Sequence, residues 1–162
     1  MSWVDRVWFV LITGFGTGLA PVASGTFGTL PAVGIGLLMQ QRWQGVELAV
    51  ALAVLALVLL GIGCAATGFV KRQWTGGDPG TFVLDEIVGY LITLALLCCF
   101  TDPTLMAHGA AFLLFRLFDV IKPWPANRLE YIPGAPGIML DDVMAGVYAG
   151  LGLIVLWFLE LL

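Results

Sequence analysis

Apolar residues in this chain fall in long runs, and the short polar interruptions between them mark where helices end. Val46–Ala66 is a clean apolar span of 21 residues with one acid, Glu47, at its outer edge. Leu84–Phe100 follows, opening on two acids, and after the tight turn Thr101–Thr104 the run Leu105–Ile121 returns. Val143–Leu162 is the last. Each approaches the roughly 20 residues that a helix needs to cross about 30 Å of hydrocarbon. Trp3–Ala20 is broken by Gly14, Gly16 and Gly18, so it reads as an interfacial or partly re-entrant segment. The link Pro21–Gly28 and the short run Thr29–Met39 come next, and Gln40, Gln41, Arg42 and Gln44 mark an exit to water. Gly68–Thr81 reads as a polar loop with a turn at Gly76–Gly80, and Lys122–Leu140 as a second, whose Pro123, Pro125, Pro133 and Pro136 forbid a continuous helix. The pattern predicts one all-α domain over residues 1–162, a polytopic transmembrane helical bundle with apolar segments near 3–20, 29–39, 46–66, 84–100, 105–121 and 143–162.

Composition turns that pattern into a statement about solvent. The chain is 60% hydrophobic and 11% charged, with a mean hydropathy of +0.99. A soluble domain is nearer 45–50% apolar and about a quarter charged, so the excess apolar surface calls for a bilayer. The N-terminal run lacks a basic lead and a small-residue cleavage site, which argues against a removable signal peptide. A net charge of −4 argues against a nucleic-acid partner. Cys64, Cys98 and Cys99 sit in apolar runs at no metal or disulfide spacing and read as packing residues. Lys71, Arg72, Lys122 and Arg128 share the loops of one side, with Arg42 alone on the other, so the positive-inside rule puts the Lys71 and Lys122 loops in the cytoplasm.

That topology brings the rare charges together. Asp85 and Glu86 open an outgoing helix, Arg116 and Asp119 close the returning one, and Asp141 and Asp142 are expected at the start of the last. Arg116, Asp119 and Lys122 are spaced by three, close to one helix face. Gly146 and Gly150, four and eight residues beyond Asp142, form a smooth strip for close approach of a neighbour. Capping and interfacial anchoring explain one or two acids at helix ends, not two doublets around an Arg–Asp–Lys set, and ionisable groups near a span are costly enough to mark function. The five acids and two cations leave −3, which calls for a neutralising cation. Oxygen-only donors favour a hard ion, Mg²⁺ above all. Arg116 and Lys122 beside them suit a phosphate. The stretch Ser24–Thr29 can turn backbone N–H groups toward an anion.

Three motifs then fall into one order: GTFG at 25–28, DEIVG at 85–89, and RLFDVIKPWP at 116–125 followed by GIMLDDVMAG at 137–146. Over about Gly14–Gly150 the chain resembles the phosphatidylglycerophosphatase A family of bacterial inner-membrane lipid phosphatases. The resemblance implies a Mg²⁺-dependent monoesterase of phospholipid metabolism. It would convert phosphatidylglycerophosphate to phosphatidylglycerol and inorganic phosphate on the cytoplasmic side of the cell inner membrane. The loop Gly134–Ala135–Pro136–Gly137 departs from a more Gly–Gly-rich family pattern.

The candidate catalytic residues are Asp85, Glu86, Asp119, Asp141 and Asp142. Asp85, Glu86, Asp141 and Asp142 are the candidate metal ligands, with Asp119 a further one. Arg116, Lys122, Gly25, Thr26 and Gly28 are the candidate phosphate binders. The expected chemistry is metal-assisted hydrolysis in which one or two Mg²⁺ ions activate a water; a covalent intermediate on an acid stays open. A paired-histidine phosphatase is excluded by the lone His108, which reads as structural, and the Cys-x₅-Arg loop and Asp-x-Asp pair of other phosphatases are absent. The alternative from another class is an ion-coupled transporter or channel subunit; such proteins usually hold their acids near mid-membrane within internal repeats, and neither feature is visible here.

Overall fold

The structure is a computed structural model that describes residues 1–73 and 80–162. Among the described residues it is all-helical: α1 (Trp3–Ile12), α2 (Ser24–Met39), α3 (Gly45–Ala65), α4 (Thr67–Gln73), α5 (Leu84–Cys98), α6 (Leu105–Ile121), α7 (Ala126–Leu129) and α8 (Ala135–Phe158). α3 and α8 are long and apolar enough to cross a membrane, and α2 is a shorter apolar helix. The apolar runs that predict α3, α5 and α6 agree with these bounds to within about two residues.

α5 is the axis of the molecule. It packs against α8, α3, α2 and α6, and of its 15 residues all but Ile92 and Leu96 are buried. α2 and α8 run in its direction: Gly28 meets Val83 and Gly36 meets Leu94, while Gly146 meets Gly89 and Gly150 meets Leu96. α3 and α6 run against it, with Gly63 on Met139 of α8 and His108 reaching Tyr90. The predicted smooth strip is used on α5. A Cβ at Gly146 would strike the Gly89 backbone, and one at Gly89 would strike Phe115 of α6 and the carbonyl of Asp142. Thr93 Oγ1 stitches the crossing by donating to the carbonyls of Gly89 at 2.9 Å and Gly146 at 3.1 Å. Such close backbone approach through small residues is how helices gain packing where apolar burial gives no preference for neighbour over lipid. Large apolar side chains meanwhile face outward, as Val46, Val50, Val54, Leu57 and Val58 do on α3.

Four expectations need correction. The link Pro21–Gly28 is not a loop throughout: Ala23 adopts a left-handed conformation and α2 starts at Ser24, taking Gly25–Gly28 into its first turns. Gly68–Thr81 is not a loop from its beginning, because α4 carries the chain as a helix to Gln73; most of the expected Gly76–Gly80 turn lies outside the described residues. The Lys122–Leu140 stretch contains α7, and α8 begins at Ala135, with Pro136 in its first turn. Proline is tolerated there because the first N–H groups of a helix have no intrahelical partner. Asp141 and Asp142 therefore stand in the second turn of α8, not at its start, and its first turn holds no acid. The helix dipole favours Asp85 and Glu86 in the first turn of α5, and that argument does not extend to the second doublet.

The broken N-terminal run resolves into α1, a turn with positive φ at Gly14, Phe15 and Gly16, and a 3₁₀ turn at Thr17–Leu19. Its role is to hold the approach to α5. Val83 N–H donates to the Ile12 carbonyl at 2.8 Å, and Ser24 Oγ donates to the Gly80 carbonyl at 2.5 Å. Gly18 packs so tightly on Thr81 that a Cβ would strike its carbonyl.

Candidate active site

One end of the bundle gathers the charges. Ser24 and Gly25 of α2, Gly80, Asp85 and Glu86 at the start of α5, Arg116, Asp119 and Val120 at the end of α6, Lys122, and Asp141 and Asp142 of α8 line a cavity of about 300 Å³. Asp85, Glu86, Asp141 and Asp142 are all buried, the last two only 4% and 3% exposed. All five predicted acids and both predicted cations are thus brought together.

Within the cavity the acids divide by partner. Arg116 pairs with Asp119, one helical turn away, and its Nη1 lies 3.6 Å from Glu86 Oε1. Lys122 Nζ donates to Asp141 Oδ2 at 2.6 Å and to Glu130 Oε2 at 3.0 Å. Asp85, Glu86 and Asp142 also form a cluster, each offering an oxygen within 4.8 Å of the others. Asp142 Oδ2 is buried and accepts from no N–H or hydroxyl donor among the described residues, with the Asp119 carboxylate lying against the same group. A buried oxygen without a donor costs about 1–3 kcal/mol, more when it is charged. Three clustered carboxylates with an unsatisfied oxygen fit a hard divalent cation.

Local structure explains the placement. Lys122 takes a left-handed conformation, φ 45°, closes α6 and is followed by Pro123, the usual way to stop a helix sharply. Burial by itself would lower the Lys122 ammonium, but its hydrogen bonds to Asp141 and Glu130 outweigh that and raise it above the ordinary lysine value; it stays charged. In each acidic doublet the first carboxylate accepts from the next N–H, Glu86 N–H to Asp85 Oδ1 and Asp142 N–H to Asp141 Oδ1, both 3.0 Å. Tyr148 of α8 donates to the Trp124 carbonyl at 2.8 Å and ties down the segment after Lys122.

The glycine motif divides. Gly25 lines the cavity, and a Cβ there would strike Glu86 Oε1 and both terminal nitrogens of Arg116. Gly28 instead packs on Val83, and neither it nor Thr26 lines the cavity. Two side-chain contacts have no signal in the sequence. Glu130 carries no motif signal, and only the fold brings it to Lys122. Ser24 was part of the glycine stretch, and its hydroxyl on Gly80 is a contact 56 residues apart in sequence. His108 lies elsewhere, buried between Tyr90 Oη at 2.7 Å and Gln40 Oε1 at 2.9 Å, which agrees with a structural role. Cys64, Cys98 and Cys99 are free thiols outside the cavity.

Comparison with known proteins matches this chain over residues 10–157 to the family model described as Phosphatidylglycerophosphatase A. A Bacteroides thetaiotaomicron protein, provisionally named a phosphatidylinositol-3-phosphatase, is 38% identical over 85% of this chain and 85% of its own. The Phosphatidylglycerophosphatase A of Escherichia coli is 38% identical over 89% of this chain and 80% of its own. That of Haemophilus influenzae is 35% identical over 86% and 82%. No solved structure matches the chain.

Proposed function

The chain belongs to the phosphatidylglycerophosphatase A family, and from that premise we propose that it hydrolyses the phosphomonoester of phosphatidylglycerophosphate, giving phosphatidylglycerol and inorganic phosphate, with Mg²⁺ as cofactor. It is a phosphatase by family. The observation that carries the finer reading is the buried trio Asp85, Glu86 and Asp142 beside two cations in one cavity. These three carboxylates would hold the ion. When bound, it would neutralise phosphoryl oxygens and lower the pKa of an attacking water.

The chain's own groups do the rest. Arg116 presents a planar fork of donors to two phosphoryl oxygens, and Lys122 adds a point charge. Asp119 orients Arg116, and Asp141 holds both Lys122 and, through the 142 N–H, the backbone of Asp142. Gly25 leaves the space that a side chain would take from the phosphate. The apolar outer face of α3 supports a polytopic bundle in the bacterial inner membrane. The cations Lys71, Arg72, Lys122 and Arg128 support a site on the cytoplasmic side, where a lipid headgroup is within reach.

A transporter reading has no such support, because the acids gather with two cations in one cavity at one end of the bundle and the relatives are named as phosphatases. The test is phosphate release from the purified chain in mixed micelles of phosphatidylglycerophosphate. EDTA should abolish it and Mg²⁺ restore it; undiminished release in chelator overturns the metal. Phosphatidylinositol 3-phosphate in a parallel assay checks the substrate, and faster release from it would move the assignment.

A further inference from the structure

Glu86 belongs to two groups at once. It faces Arg116 at 3.6 Å, and it is one of the three carboxylates that would hold the ion. With its acids and bases ionised, the cavity lining carries five negative charges and two positive ones, −3 in formal charge. Both positive groups are already paired, Arg116 with Asp119 and Glu86, Lys122 with Asp141 and Glu130. A phosphate monoester of about −1.5 to −2 charge entering this cavity meets net repulsion and cations whose fields are cancelled.

Resting on the metal reading above, we infer that Glu86 is an exchange residue that makes phosphate binding wait for the metal. In the metal-free cavity Glu86 helps hold Arg116. Once a divalent cation is held there, the Glu86 carboxylate, already clustered with Asp85 and Asp142, is drawn further toward them, and Arg116 is left with Asp119. The Arg116 guanidinium, which makes no hydrogen bond to Glu86 at 3.6 Å, is then relieved of that opposing charge and faces the cavity as the phosphate seat. Gly25 is what makes room for the exchange, since any Cβ there would collide with both Glu86 and Arg116. The ion enters first, the phosphate second, and no bond is made or broken in the exchange.

The experiment uses the full-length chain in neutral detergent, with Mg²⁺ and inorganic phosphate as probes and calorimetry as readout. Phosphate should bind at least about 10-fold more weakly in EDTA, and saturating phosphate should tighten Mg²⁺ by the same factor, because coupling between two ligands is reciprocal. Direct contact between the two probes would give that much, so the variants decide. Glu86→Gln should strengthen metal-free phosphate binding well beyond Asp85→Asn, which removes an equal charge but not the Arg116 partner. Equal gains in the two variants, each confirmed as folded by its melting curve, would reduce Glu86 to a bystander charge and overturn the inference. A second readout needs no variant: the Arg116 side-chain N–H signal in the wild type should shift on adding Mg²⁺ before any phosphate. An unmoved signal with Mg²⁺ demonstrably bound overturns the exchange alone, whereas failure of Mg²⁺ to bind at all overturns the metal reading beneath it.

Discussion

Asp142 has no cation of its own among the described residues, unlike Asp119 and Asp141, and one of its oxygens is buried without a donor. Asp142→Asn keeps the shape and removes the charge. Turnover should fall by at least about 10²-fold, the scale of losing one element of a preorganised electrostatic site, while the melting point in detergent holds or rises as repulsion is relieved. Near-normal phosphate release from this variant would leave Asp142 a packing residue. Asp141→Asn should lose activity on the same scale for another reason, since it loosens Lys122 and the backbone of its neighbour together. Arg116→Lys should also be severe, because an ammonium cannot make the two-pronged contact. Glu47→Gln, in the first turn of α3 at the opposite end, is the silent control. Asp102 is a poorer control than its sequence position suggests, because its carboxylate accepts from Gly45 N–H at 2.6 Å and anchors the start of α3.

Pairs of helices, not single groups, set the distances in the cavity. The crossing of α5 and α8 at Gly89 and Gly146 fixes how far Asp142 stands from Asp85 and Glu86. A methyl at Gly146 meets backbone, which cannot swing aside, so Gly146→Ala must push the helices apart. Overpacking of this kind costs about 1–3 kcal/mol, and the separation should also loosen the trio. Melting point and turnover are both expected to drop. Gly61→Ala and Gly109→Ala place the same methyl in open space on α3 and α6; they should leave turnover unchanged and stabilise slightly, since alanine is the better helix former. If Gly146→Ala matches those two controls, the close crossing is not what spaces the acids.

Across the whole molecule, the cavity is at one end, and the apolar exterior of α3 runs away from it. A variant with Cys64, Cys98 and Cys99 all replaced by Ala should keep its turnover, since none of them lines the cavity. On that background Arg128→Cys is expected to react with an impermeant thiol reagent only from the cytoplasmic side, and Gln44→Cys only from the other. The reverse labelling would invert the orientation, and labelling of both from one side would remove the spanning arrangement of α3.

Helix existence was legible in the sequence because hydropathy is local. The runs at Leu84–Phe100 and Leu105–Ile121 needed no partner to be recognised. The charged members of the cavity were legible too, since successive apolar helices of alternating direction bring Asp85, Arg116 and Asp142 to one end of the bundle whatever their rotation. What the linear pattern could not reach were the glycine and proline stretches, where Ser24–Gly28 and Ala135–Asp142 became helical because packing on α5 outweighed weak local propensity. Nor could it assign partners among five equivalent carboxylates. Which acid meets Arg116, which meets Lys122, and which three cluster within 4.8 Å depend on helix rotation to within a few ångströms. Only the tertiary contacts set that rotation: Gly146 on Gly89, Gly28 on Val83, and the left-handed turn at Lys122 that brings its ammonium to Asp141 and Glu130.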